Sequence, residues 1–374
     1  MSELRKNILR RELQRQLELA KELDKKLDPN ASLHYTKAAN IYKKLGELSP
    51  AYAKMNNDIA ATYEKYSKNI QKRDEISKDN ENNFNTMIES LIISHKPTTT
   101  WDDIGGLEEA KNEIKEAIIL PFIHKKPEFI RSPKTILLYG PPGTGKTMIA
   151  KASSNVLNAT FFDVKISSIL SKYFGESPKL VNLLFTRAHE MQPSLIFMDE
   201  LDSIALSRST DVNESTRRVL SQLLTEVDGF NTNKKDEVII IGATNKPWDL
   251  DDAVISRFQK KIYIPLPDEI ARTSIFNLNL AGVQLDFDIK ELARESINYS
   301  GRDISALCQE AIMLMVNEQN PDLGDLTSVD IKSYSLRYRI LSLDDFKHAF
   351  KKIKPSANTS ELNKYDNWKK EFGG

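Results

Sequence analysis

"TILLYGPPGTGKTMIAKAS", residues 135–153, decides the fold. Its first five residues are an apolar run of strand length, and "MIAKAS" at its end reads as the start of a helix. Between them "GPPGTGKT" (140–147) fits G-x-x-x-x-G-K-[ST], a spacing that has meaning only between a strand and a helix. Gly143 and Gly145 allow backbone N–H groups to converge on phosphate oxygens with no Cβ in the way. The helix that follows adds the positive end of its dipole. Lys146 is then placed to reach β- and γ-phosphates, and the Thr147 hydroxyl to ligate Mg²⁺. A glycine-rich turn with an incidental lysine would lack this strand before it and this helix after it.

Downstream, "LIFMDE" (195–200) supplies the second half of such a site. Four apolar residues make a buried strand, and two carboxylates emerge at its end. Asp199 fits the Mg²⁺ shell and Glu200 a base that polarises the attacking water. A single capping carboxylate would not explain two together. Asn245, in "GATN" at the end of another apolar run, is placed to hold the same water. The runs "TILLYG" (135–140), "ATFFDV" (159–164), "SLIFMDE" (194–200), "VIIIGATN" (238–245) and "KIYIPL" (261–266) alternate with helical stretches. Runs that are apolar throughout imply an α/β fold with a parallel sheet covered on both faces.

"GPPGTGKT", "IFMDELDSI", "GATNKPWDLDDAV" and "IYIPLPD" together resemble the AAA ATPases, over about residues 97–374. The resemblance implies an Mg²⁺-dependent ATP hydrolase with a P-loop domain, a small helical lid and assembly as a ring, commonly a homo-hexamer. It implies ATP contacts from Pro142, Gly143, Thr144, Gly145, Lys146, Thr147 and Met148. It also places Asp103, Ile104 and Gly105, within "WDDIGGLEEAKNEIKEAIILPF" (101–122), against adenine. Gly301, in "YSGRDISALCQEA" (299–311), falls near the base and ribose. An arginine from one copy in the ring stabilises charge on the γ-phosphate of the next. Here "VISRF" (254–258) keeps Arg257 for that role but has Ser256 where relatives carry a second arginine.

"LSKYFGESPK" (170–179) lies where members of this family line the central pore. Lys172, Tyr173 and Phe174 match the usual aromatic flanked by lysine and a bulky neighbour, and rings of them would grip an extended peptide with little sequence preference. "SRSTDVNEST" (207–216) falls where a second pore loop would lie. "NKPWDLDDA" and the closing "DDFKHAFKKIKPSANTSELNKYDNWKKEFG" resemble the meiotic clade: katanin, spastin, fidgetin and the vacuolar protein sorting ATPase that dismantles ESCRT-III. The short segment 318–341 resembles the archaeal homologue of the last, CdvC. In that clade the last helix, about 360–372, folds back on the ATPase core.

Ahead of the ATPase, the first 73 residues show three helical stripes. Leu9, Leu13, Leu17, Ala20, Leu23 and Leu27 form one; His34, Ala38, Ile41, Tyr42 and Leu45 a second; Tyr52, Met55, Ile59, Thr62, Tyr66 and Ile70 a third. "DPN" (28–30) and Ser49-Pro50 separate them, and short connections predict an antiparallel three-helix bundle, one that resembles a MIT domain. It carries 16 basic against 9 acidic residues. The surplus suits an acidic partner or a membrane surface, or is a solvated helical face. The expected division is bundle 1–73, linker 74–100, large α/β domain 101–268, small helical domain 269–354 and C-terminal helix 355–374. "MIESLII" (87–93) is expected to be a short helix inside the linker.

A length of 374 residues suits two or three domains, and the one cysteine, Cys308, excludes an intrachain disulfide framework. No apolar run is long enough to span a membrane, and the charged N-terminus lacks a signal core, so a cytoplasmic protein is expected. The function these readings favour is disassembly of ESCRT-III-like polymer subunits, held by the bundle and pulled through the pore. A microtubule-severing ATPase, a general unfoldase and a nucleotide-switched scaffold are the alternatives. No basic-aromatic patch calls for nucleic acid, and membrane contact is expected to be indirect.

Overall fold

In the computed structural model the described residues are 2–372, apart from 92–96, 124, 126, 128, 131, 173–176, 206–213, 233–235 and 324–333. The chain divides into two compact units, Met1–Met87 and Ile88–Gly374.

The first unit is built by helices α1 (Ser2–Lys25), α2 (Ala31–Glu47) and α3, which starts at Ala53 and runs to Leu91. Leu13, Ala38, Ile41 and Leu45 join α1 to α2, and Ala20, Ala31, Tyr35 and Ile70 close the other end. The expected third stripe is corrected. Of its members Ile70 is buried as expected, but Tyr52, Met55 and Tyr66 are more than half exposed, and α3 turns Ala60, Tyr63 and Ser67 inward in their place. Small Ala60 and Ser67 let α2 come close enough for the Ser67 hydroxyl to meet those of Ser32 (2.9 Å) and Thr36 (2.8 Å). Tyr63 stacks between Tyr35 and Tyr42, 5.8 Å from each. Leu27 also leaves its stripe, since α1 ends at Lys25 and Leu27 takes a left-handed φ of 58°. The linker expected over 74–100 is helical as far as Leu91, as one continuation of α3. Polar composition suggested a break there, but residues 74–91 hold no glycine or proline to make one.

The second unit begins with α4 (Glu108–Ile119). A five-stranded sheet follows: β1 (Thr135–Tyr139), β2 (Thr160–Lys165), β3 (Ser194–Asp199), β4 (Val238–Thr244) and β5 (Lys260–Tyr263). All pairs are parallel, in the order β2-β3-β4-β1-β5. The crossovers carry α5 (Lys146–Leu157), α6 (Ile166–Lys172), α7 (Ser177–Glu190), α8 (Asp202–Ala205), α9 (Glu214–Thr232) and α10 (Asp252–Arg257). Strand residues alternate between two covered faces. Ile136, Leu138, Phe161 and Phe197 pack with Ile114, Ile118 and Ile149 of α4 and α5. The opposite face, with Leu137, Phe162, Ile196 and Ile240 fully buried, lies on the side where α7 packs on β3.

A smaller helical core follows from α11 (Glu269–Asn279), α12 (Ile289–Glu295), α13 (Gly301–Gln319) and α14 (Leu343–Lys352) around Phe276, Leu307 and Phe346. Capping boxes fix where α13 and α14 start. Ser300 pairs with Asp303, and Ser342 with Asp345. Arg272 of α11 ties this core to the exit of β5, donating to Pro267 O (2.9 Å) and Ala293 O (2.8 Å). The last helix, α15 (Thr359–Phe372), returns to the sheet through Tyr365 and Trp368.

Phe197 is fully buried in the middle of β3 and stacks on Phe161 at 6.2 Å. Phe197→Ala is expected to cost about 3–5 kcal/mol, which lowers the melting temperature by roughly 10 °C. Val156→Ala, at a half-exposed site, is expected to leave the melt nearly unchanged in the same calorimetric scan.

Candidate functional site

Parallel strands deliver their C-terminal ends to one edge of the sheet, and there the loops after β1, β3 and β4 meet in a cleft of 560 Å³. The turn after β1 is held by geometry that only glycine accepts. Gly140 has φ 151°, and a Cβ on it would stand 2.1 Å from Ile264 O. Gly143 and Gly145 have φ of 76° and 97°, and Gly145 caps α5. Lys146 is buried, and its ammonium donates to the carbonyls of Gly140 (2.9 Å) and Pro141 (2.8 Å). Burial pushes its pKa down to about 8, against the opposing pull of Asp199.

Thr147 Oγ1 donates to Asp199 Oδ2 at 3.3 Å across the floor of the cleft. Burial raises the Asp199 pKa, opposed by hydrogen bonds from the Glu200 N–H (2.9 Å) and from Thr147. Glu200 leaves the strand with a left-handed φ of 58°, a backbone conformation that costs a residue with a Cβ. The Ser167 hydroxyl of α6 donates to that carboxylate at 2.8 Å. Asn245 enters from the end of β4. The turn it occupies is pinned by Thr244 Oγ1, which donates to Asp202 (2.8 Å) and accepts from Lys246 N (3.0 Å).

The opposite end of the cleft is apolar. Ile104 and Gly105 face Ile275 and Leu278 of α11, and a Cβ on Gly105 would stand 2.7 Å from Ile275 Cγ1. Asp103 lies here too, but its carboxylate is engaged at home by Thr100 N (2.7 Å) and Thr100 Oγ1 (3.0 Å), which hold its pKa low. Gly301 opens α13 directly over the loop, where the Arg302 N–H donates to Gly143 O at 3.2 Å.

Asp103, Ile104, Gly105, Pro142, Gly143, Thr144, Gly145, Lys146, Thr147, Met148, Asp199, Glu200, Asn245 and Gly301 therefore line one cleft. Arg257 does not. Its guanidinium is bound to Asp228 (3.0 Å) and to Ser256 Oγ (3.2 Å), at the end of α10. Lys172 ends α6, while Tyr173 and Phe174 lie outside the described residues, as does most of 207–216. Sequence reading missed Ser167, Ile275, Asn279 and Arg302. Arg302 had one signal. A cation in the first turn of a helix opposes its dipole and needs a nearby anion to justify it.

The donor set fits a nucleoside triphosphate with a hard divalent cation. The glycine loop offers N–H groups without Cβ atoms, Lys146 and Arg302 offer positive charge, and Thr147 and Asp199 offer oxygen ligands. One carboxylate and one hydroxyl suffice for Mg²⁺, which takes its remaining ligands from phosphate and water.

Three family models match the chain: the ATPase family associated with various cellular activities (AAA) over residues 136–266, the AAA+ lid domain over 286–332, and the Vps4 C terminal oligomerisation domain over 318–373. Spastin of Naegleria gruberi is 41% identical over 285 residues, which cover 74% of this chain and 53% of that protein. A katanin-like p60 ATPase of Homo sapiens is 42% identical over 300 residues, covering 76% of this chain and 60% of that protein. This chain thus spans about half to three fifths of the length of the curated relatives it matches. The solved FIGL-1 AAA domain in complex with ADP is 37% identical with a TM-score of 0.67, over 78% of this chain and 97% of that one.

Triphosphate binding should carry the titration of Lys146. Below about pH 8 the ammonium is already protonated and affinity is flat. Above it the free protein must take up a proton to bind, so affinity should fall by up to about tenfold per pH unit. Isothermal titration from pH 6.5 to 9.5 checks this, and Lys146→Met should bind weakly without that slope.

Proposed function

Because this chain belongs to the AAA ATPases and is an ATP-hydrolysing enzyme, we propose that it works as a ring of copies that takes subunits out of a protein polymer by drawing their chains through a central pore. The observation that carries the reading is the convergence of Lys146, Thr147, Asp199, Glu200 and Asn245 on one cleft, in a chain whose last segment matches an oligomerisation domain.

Within the cleft each residue has a task. Loop amides and Lys146 hold the phosphates in line. Thr147 and Asp199 would hold Mg²⁺, which when bound neutralises phosphate charge. Glu200 takes the proton of the attacking water as Asn245 orients it. Ser167 holds the Glu200 carboxylate until the water competes for it. Arg257 is released from Asp228 to meet the γ-phosphate of the neighbouring copy, which makes hydrolysis depend on assembly. Lys172, Tyr173 and Phe174 then grip the client.

The likeness to spastin, to the katanin-like ATPase and to the FIGL-1 domain supports a client of the microtubule kind, with the chain acting as a severing ATPase. A second reading, with ESCRT-III-like proteins as clients, draws on the Vps4 C terminal match and on the basic three-helix unit at the N-terminus, which lies outside all three family matches. Either client would be reached in the cytoplasm. Sedimentation of stabilised microtubules and of ESCRT-III-like polymers, each with ATP and the full chain, separates the two. Loss of one polymer from the pellet names the client, and loss of neither overturns the proposal.

Glu200→Gln should keep triphosphate binding while turnover falls by about 10²–10⁴-fold. Near-normal turnover in that variant would remove Glu200 from the mechanism. Tyr173→Ala should hydrolyse ATP at close to the normal rate yet release no client subunits, measured side by side in one reaction.

A further inference from the structure

The ends of β1, β4 and β5 stop at one level. Tyr139, the last residue of β1, lies in register with Thr244 on one side and Tyr263 on the other. The next residue after Tyr139 is Gly140, the start of the phosphate loop, and the next after Thr244 is Asn245. Helix α15 lies across this row. Trp368 meets Tyr139 edge-on at 4.4 Å, and Tyr365 stacks on Tyr263 at 5.9 Å and meets Trp248 edge-on at 4.9 Å. Both α15 residues are buried. Between these rings the Tyr365 hydroxyl donates a hydrogen bond to the backbone carbonyl of Asn245.

That bond is placed where the sheet no longer helps. The β1–β4 ladder ends at Thr244, so no strand neighbour fixes the Asn245 peptide. Below, Asp202 pins the Thr244 hydroxyl. Above, the Tyr365 phenol takes the next carbonyl. A peptide held at both sides has its side chain constrained, and the side chain in question lines the same cleft as Glu200.

We infer that Tyr365 is a positioning residue for ATP hydrolysis: its hydroxyl fixes the Asn245 peptide and so the aim of the Asn245 amide at the attacking water. The inference rests on the reading of Asn245 given above. It makes α15 part of the catalytic support as well as a packing element. The rings hold the helix on the sheet, and the hydroxyl sets the geometry. Tyr365 also belongs to the segment matched by the oligomerisation model.

Tyr365→Phe tests it, since it keeps the ring and removes only the O–H. Steady-state ATP turnover is measured for the full chain, Tyr365→Phe, Asn245→Ala and the double variant, with ADP affinity and melting temperature for each. Tyr365→Phe should lower kcat roughly tenfold, the scale expected when a reacting group is misplaced by a fraction of an ångström. KM and ADP affinity should stay within about twofold. The double variant should match Asn245→Ala, because the hydroxyl acts only through that residue. An unchanged kcat in Tyr365→Phe, beside a lowered one in Asn245→Ala, overturns the inference. So do losses that multiply in the double variant, or a deficit that vanishes at high protein concentration, which would mark an assembly effect. An unaffected Asn245→Ala would instead overturn the reading of Asn245 itself, and the inference with it.

Discussion

Three parallel strands ending at one level is the constraint on which the rest of this protein depends. β1 lies between β4 and β5, and the chain must leave it at once, under the carbonyl of Ile264, through a residue with no side chain. Only then do the loop amides turn toward the cleft, and only then does α5 start with its positive end facing the same point. Shift β1 by one residue against β5 and a residue with a Cβ would meet the Ile264 carbonyl; shift it against β4 and Asn245 would no longer stand level with the start of the loop. Both faces of the central strands are buried, so register is fixed by packing: a slip would set side chains of the wrong size against each layer of helices.

Within that frame the cleft is electrostatically tense. A buried lysine and a partly buried aspartate share the cleft, each pushed by desolvation toward its neutral form. Folding alone gains little from such an arrangement, since buried charges cost more than their attraction returns unless fully paired. A polyphosphate changes the balance by supplying the missing negative charge beside Lys146 and Arg302. The left-handed turn at Glu200 is strain of the same kind, carried by the fold at the residue proposed to act on the attacking water.

The ATPase was legible because its motifs are local. A strand, a glycine turn and a helix succeed one another within twenty residues, and each dictates the next through sterics and hydrogen bonding. The N-terminal unit was less legible. Periodicity placed three helices and found Ile70, but misjudged most of the buried face of the third, because large residues at 52, 55 and 66 carry a stronger apolar signal than the small Ala60 and Ser67 that permit close packing. The polar run after residue 73 read as a linker, although polarity alone does not stop a helix that contains no breaker.

By itself, then, the sequence determined the parallel sheet, the phosphate loop, the pair of carboxylates after β3 and the family, since all of these are written in short-range spacing. Tertiary structure decided what supports them. Arg302 reaches Gly143, Ser167 reaches Glu200, and Tyr365 reaches Asn245 from 120 residues away. No periodicity encodes such contacts. The first and third exist because the lid and the last helix fold back over the strand ends, the second because α6 leaves β2 beside the end of β3, and only the packed chain brings these polar groups within hydrogen-bonding reach.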